Sequence, residues 1–135
     1  MSDPDPTPPT ALPPDQRALA ARLFNRTWEL LESSRDAAGD WLVAHVASHL
    51  GYADLALDFA TAAHERASTA DPSVPLWLVA STEEGLARAH AVAGHDDERD
   101  RWAADARATL AGVDDDEDRE LIESQLDTVP GLDPA

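Results

Sequence analysis

The sequence contains no cysteine and no lysine, and only 5% of its residues are aromatic. Without cysteine, disulfides, thiolate nucleophiles and cysteine-ligated zinc or iron–sulfur sites are excluded. Without lysine, a Schiff base and a lysine-dependent phosphate site are excluded too. The chain also lacks the phosphate loop G-x-x-x-x-G-K-[ST], the dinucleotide fingerprint G-x-G-x-x-G and the nucleophile elbow G-x-S-x-G. We therefore predict that the protein uses no cofactor.

Positive charge is scarce as well. Ten arginines face 27 acidic residues, which gives a formal net charge of −17. Such a surface repels phosphate backbones and anionic lipids, so we expect neither a nucleic-acid nor a membrane partner. No apolar run approaches the roughly eighteen residues of a membrane span, and the first residues do not resemble a signal peptide. We expect a cytoplasmic protein whose acidic surface either binds a basic partner or only keeps the chain soluble.

The length of 135 residues suits one domain with a hydrophobic core. Residues 1–14 are rich in proline and aperiodic, which predicts a disordered tail. Proline and glycine also interrupt residues 130–135, which predicts a short C-terminal tail. The folded domain is therefore expected over residues 15–129.

Apolar residues recur at three- and four-residue steps through this domain, which is typical of amphipathic helices. The expected helices cover residues 15–34, 37–50, 53–69, 75–93 and 96–111, and a sixth follows the acidic run 114–118. The fourth helix carries Leu76 among its apolar residues, and the sixth carries Leu121 and Leu126. The pattern predicts an all-α protein of five to six helices.

Two stretches, residues 44–63 and 87–106, share a pattern. Each has a helix, a turn glycine and a second helix, and the two glycines, Gly51 and Gly94, are 43 positions apart by subtraction. The fifth, ninth and twelfth positions after each glycine are Ala56, Ala60 and Ala63 in the first copy and Arg99, Ala103 and Ala106 in the second.

This pattern resembles the tetratricopeptide repeat, in which a turn glycine and small residues on the second helix let the hairpin close. Arg99 departs from the family's alanine, and the spacing exceeds the usual repeat of roughly 34 residues. Segments 24–32 and 86–94 are also similar to an uncharacterised bacterial helical family. The resemblance implies antiparallel helical hairpins in a tetratricopeptide-like array.

Such an array implies a non-catalytic scaffold that binds a protein or peptide on a concave surface. The candidate partner-binding residues are Trp41, Trp77, Glu84, Arg88 and His90. Either both tryptophans form a partner-facing patch, or they fill gaps between hairpins. Glu84 and Arg88, four residues apart, either read a polar group of the partner or form an ion pair on a solvated helix surface.

The alternative is a small metal-dependent helical-bundle enzyme. His45 and His49 are four residues apart on one helix, so both rings project from one face, and His64, His90 or His95 could add a third ligand. The zincin motif nevertheless needs glutamate where Val46 stands. These histidines could equally lie on the surface or between hairpins. A third possibility is a homo-oligomer formed through the exposed ends of a short array.

Overall fold

The computed structural model describes residues 36–68 and 74–133, together with four isolated helical positions before them, at residues 14, 18, 21 and 22. The predicted tail 1–14 and the predicted helix 15–34 therefore fall almost wholly outside the described residues. Five helices are described: α1 (Ala37–Leu50), α2 (Ala53–Ala67), α3 (Leu76–Val92), α4 (Asp96–Leu110) and α5 (Asp116–Leu126). The prediction of an all-α protein is confirmed for this part of the chain.

Aspartate side chains cap the first turns of two helices. The Asp36 side chain accepts a hydrogen bond from the Gly39 amide at 2.6 Å and caps α1, and Asp115 accepts one from the Asp118 amide at 2.9 Å and caps α5. Both caps satisfy backbone N–H groups that have no partner within their helix. The acidic residues in the first turn of α5 are stabilised there by the helix dipole.

The two predicted turn glycines end the first helix of each hairpin. Gly51 and Gly94 have φ angles of 80° and 81°, in the left-handed region that glycine adopts without strain. In each turn the amide after the glycine bonds back five residues, from Tyr52 to Ala47 and from His95 to His90. Both connections are therefore Schellman motifs, and the predicted helix stops are confirmed.

Helix α3 occupies the centre of the bundle. It packs against α1, α2, α4 and α5, while α1 also packs against α2, and α4 against α5. Every residue from Ala80 to Ala89 is buried, so the middle of α3 contributes polar as well as apolar side chains to the interior. This arrangement determines the surroundings of Glu84 and Arg88.

Two apolar clusters form the core, one on each side of α3. The first joins α1, α2 and α3 and contains mostly alanines, which allow close helix approach, around Phe59 and Leu86. The second joins α3, α4 and α5 around Leu110, Ile122 and Leu126, and Trp102 packs against both clusters. Helix α3 therefore contributes side chains to both clusters.

Two leucines of the predicted helices lie outside the core. Leu76 is 45% exposed and Leu121 is 59% exposed. Leu126, by contrast, is a core residue at 1% exposure. Beyond α5, Val129 is buried and Leu132 packs against the second cluster, so the chain after the helix still contacts the domain.

Candidate binding groove

A groove of about 490 Å³ opens between α1, α3 and α5. Its walls are mostly apolar, and each of the three helices contributes one exposed large side chain. Leu42, Trp77 and Leu121 are 42%, 43% and 59% exposed, respectively. Trp41, Ser81 and Gln125 also line the groove. Segments far apart in sequence thus converge to leave an apolar surface in contact with water.

Pairs of adjacent large apolar residues mark the groove in the sequence, although helical periodicity alone does not show them. Consecutive residues point about 100° apart around a helix, so two large apolar neighbours cannot both face one core. Three such pairs line the groove: Trp41 with Leu42, Trp77 with Leu78, and Leu121 with Ile122. In the third pair Ile122 is buried and Leu121 exposed. Adjacent large apolar residues would have indicated the groove-facing side of each helix.

Helices α1 and α3 pack against each other, and both line the groove. Gly85 lies against the Trp41 indole, and a Cβ built on this glycine would be 3.2 Å from Trp41 Cδ1. The missing side chain lets Trp41 pack closely onto α3. Trp41 therefore lines the groove and also contacts the helix interface beneath it.

Below the groove lies a buried ion pair. Arg88 donates to Glu84 Oε1 from Nε at 3.1 Å and from Nη2 at 2.8 Å. Its Nη2 also donates to the Gln125 carbonyl at 2.9 Å and to Thr128 Oγ1 at 2.8 Å. Because Glu84 and Arg88 are 0% and 3% exposed, the solvated-surface interpretation of this pair is wrong. Arg88 instead joins α3 to the end of α5.

Burial and the neighbouring arginine act in opposite senses on Glu84. Burial raises the pKa of the Glu84 carboxyl because it disfavours the charged form. The charge and the hydrogen bonds of Arg88 lower that pKa in return. Burial is the larger effect, so the pKa of Glu84 lies above its ordinary value.

The two histidines of α1 lie beside this ion pair and contact each other. His45 Nε2 is 3.2 Å from His49 Nε2, and the Trp41 and His45 ring centroids are 5.1 Å apart. Burial, followed by the charges of Arg88 and His49, lowers the pKa of His45 from 6.5 to about 3. Burial and Arg88 also lower the pKa of His49. His45 is therefore uncharged at neutral pH.

The remaining described histidines, His64, His90 and His95, contact residues other than His45 and His49. His64 Nδ1 is 3.3 Å from Thr82 Oγ1 on α3, and the His64 ring packs edge-on against Trp102. His90 Nδ1 is 3.0 Å from His95 Nδ1 at the turn between α3 and α4, and neither residue is among those that line the groove. Among the described residues no three His, Asp or Glu side chains are placed to hold one metal ion.

The predicted partner-binding residues therefore separate into three places. Trp41 and Trp77 line the groove, and Glu84 with Arg88 lies buried next to it, whereas His90 lies at a turn.

The chain matches no family model, no curated protein and no solved structure. The comparison with the expected absence of a membrane partner concerns helix length. Within the described part of the chain no helix is long and apolar enough to span a membrane.

Proposed function

We propose that this protein is a non-catalytic binding module that holds an amphipathic peptide segment of a protein partner in the groove between α1, α3 and α5. One observation carries the proposal: Leu42, Trp77 and Leu121, one from each helix, remain largely exposed around a single groove. Contiguous exposed apolar surface marks interaction sites in proteins that otherwise bury such residues. The expected cytoplasmic location is part of the proposal.

We also propose that the helices form a tetratricopeptide-like array. Each helix packs against the next one along the described chain. In addition α3 packs against both α1 and α5, while α2 meets α4 through the rings of His64 and Trp102. The odd-numbered helices thus lie side by side. In stacked hairpin arrays such a row of helices forms an extended binding surface.

The charge around the groove favours a basic partner. Asp118 lines the groove, and residues 114–117 at the start of α5 are all exposed and include three aspartates and one glutamate. The whole chain carries a formal net charge of −17. An acidic rim attracts a cationic segment and raises its association rate. The partner that fits is a helix or peptide with apolar anchors and flanking lysine or arginine.

The experiment is selection of 12-residue peptides from a phage-displayed random library on the full chain. We expect the selected peptides to carry apolar residues three or four positions apart and flanking basic residues. Fluorescence anisotropy then measures their affinities. Leu121→Asp places a charge in the groove and should weaken binding at least about tenfold.

Leu76→Asp provides the matched control, because Leu76 is 45% exposed and does not line the groove. It should leave peptide affinity within about twofold. Equal losses in the two variants would refute binding in the groove. Concentration-dependent dimerisation in sedimentation velocity, abolished by Leu121→Asp, would instead assign the groove to a second copy of the chain.

The metal-enzyme alternative keeps one supporting observation. The 3.2 Å between His45 Nε2 and His49 Nε2 suits two ligands of one ion with bonds of about 2.0–2.1 Å. The positive charge of Arg88, which lowers both pKa values, opposes a cation there. Calorimetric titration with zinc, nickel and iron(II) tests the alternative. Stoichiometric binding that His45→Ala abolishes would overturn the scaffold proposal.

A further inference from the structure

The groove lies next to the point where the predicted helix 15–34 joins the described domain. Asp36 caps α1, and Ala38 and Trp41, in the first turns of that helix, line the groove. The predicted helix ends only two positions before this cap. Because the connection is short, the segment 15–34 is held near the groove at a high effective concentration.

The segment 15–34 carries the apolar pattern of a helix that binds in a groove. Its described positions, residues 18, 21 and 22, are helical. Apolar residues recur through it at steps of three and four: Ala20, Leu23, Phe24, Trp28 and Leu31. On a helix these residues form one stripe, and such a stripe supplies the anchors in helix-in-groove binding. Beneath it the exposed side chains of Leu42, Trp77 and Leu121 would be shielded from water.

The charge of the segment is opposite to that of the groove rim. Residues 16–28 contain three of the ten arginines, Arg17, Arg22 and Arg26, and no acidic residue. This is a local positive excess in a chain whose formal net charge is −17. Asp118 lines the groove, and the acidic residues 114–117 precede it. The segment therefore has both features that the groove favours in a partner, apolar anchors and basic residues.

We infer that residues 15–34 dock reversibly, as an amphipathic helix, into the groove of the same molecule and compete there with the partner. The inference rests on the proposed function and adds its regulation, because a partner must displace the segment. A short connection gives an effective concentration of about 1 mM. If the segment binds with a Kd of about 0.2 mM, it occupies the groove in about five of six molecules. Partner binding is then about sixfold weaker than to the empty groove.

The first test compares two alanine variants of the segment in the ¹⁵N-labelled full chain. Trp28→Ala removes an anchor, whereas Asn25→Ala, off the apolar stripe of the same helix, is the matched control. The Trp77 indole N–H resonance, assigned with Trp77→Phe, reports on the groove by NMR. Trp28→Ala should move this resonance, and Asn25→Ala should leave it at its wild-type position. A resonance that neither variant moves would overturn the inference.

The second test measures the affinity of a library-selected peptide by fluorescence anisotropy. Trp28→Ala should raise this affinity by up to about sixfold, because it removes the competitor. Phe24→Ala, a second change on the stripe, should act in the same direction, and Asn25→Ala should have no effect. A segment that only stabilised the fold would not raise the affinity when it is weakened. Unchanged or lower affinity in both stripe variants would overturn the inference.

The inference and the proposed function fail separately. If no library peptide binds but Trp28→Ala alone moves the Trp77 resonance, the segment docks and the proposed function fails. If peptides bind all variants equally and the resonance stays in place, the inference fails and the proposed function stands. Sedimentation velocity separates docking within one molecule from docking on a second copy. A wild-type dimer that Trp28→Ala dissociates would overturn the intramolecular inference.

Discussion

Arg88 Nη2 lies 2.8 Å from Glu84 Oε1, one turn earlier on α3, and both side chains are buried. A second pair with similar helical spacing, Arg101 with Glu98 on α4, is exposed to solvent, at 60% and 45%. The two pairs allow the effect of burial on an intrahelical ion pair to be measured within one protein.

Removing the buried arginine should strongly destabilise the fold. We expect Arg88→Met to lower the free energy of unfolding by about 3–5 kcal/mol, because it leaves the Glu84 carboxylate buried without its partner. Arg101→Met should cost less than about 1 kcal/mol, because water replaces an exposed partner. Urea denaturation of both variants measures the difference. The double variant Glu84→Leu/Arg88→Met should recover most of the loss, and similar losses in the two single variants would contradict burial of the pair.

Gly85 is expected to tolerate only a small addition. A Cβ at this position meets Trp41 Cδ1 at 3.2 Å, so Gly85→Leu forces the indole away and should cost about 1–3 kcal/mol. Gly85→Ala adds only the Cβ, and the gain in helix propensity of roughly 0.5–1 kcal/mol offsets the crowding. Urea denaturation followed by tryptophan fluorescence measures both variants. Equal stability of the leucine and alanine variants would show that Trp41 does not pack on α3.

The stability of the fold should depend on pH through His45. Its pKa is lowered from 6.5 to about 3 in the folded protein, chiefly by burial. The unfolded chain therefore binds a proton that the folded chain does not, between these two values. This contribution is fully present above pH 6.5 and is lost as the pH falls towards 3.

Urea unfolding at pH 7, 6, 5 and 4 tests this dependence on wild type and on His45→Gln. The wild type should lose unfolding free energy more steeply than the variant as the pH falls below about 6.5. The carboxylates titrate in both proteins, so their contribution cancels in the difference. Parallel pH profiles would show that His45 is not held in its neutral form by the fold.

Two leucines of α5 should respond differently to the same substitution. Leu126 is 1% exposed and belongs to the core, so Leu126→Ala should cost about 2–5 kcal/mol. Leu121 is 59% exposed at the groove, and Leu121→Ala should change stability by no more than about 0.5 kcal/mol. Thermal or urea denaturation measures both variants. A large loss in Leu121→Ala would indicate that the groove is part of the folded core and not a free surface.

Much of the local structure could be predicted from the sequence. The range of α1 matches the prediction, and the turn glycines Gly51 and Gly94 adopt the expected left-handed conformation. Leu126, an apolar residue of the sixth predicted helix, is 1% exposed and belongs to the core. These features depend on backbone hydrogen bonds and on side chains within a few residues, so the local sequence is sufficient to determine them.

The candidate site was predicted only in part. The sequence picked out Trp41 and Trp77, which line the groove, and Glu84 with Arg88, but it left open whether that pair was solvated. It did not indicate that Leu121 lies at the groove, because a helical stripe does not distinguish a face buried against a neighbour from a face left beside a groove.

The sequence by itself determined the helical class, the turn positions and the acidic, cysteine-free composition of this protein. Tertiary structure alone decided that α3 is central, that Glu84 and Arg88 are buried, and that α1, α3 and α5 leave an apolar groove. The physical reason is the distance along the chain over which each interaction acts. Capping and backbone hydrogen bonds act between near neighbours, whereas burial depends on which distant helices meet, and Arg88 reaches Thr128 across forty residues of chain.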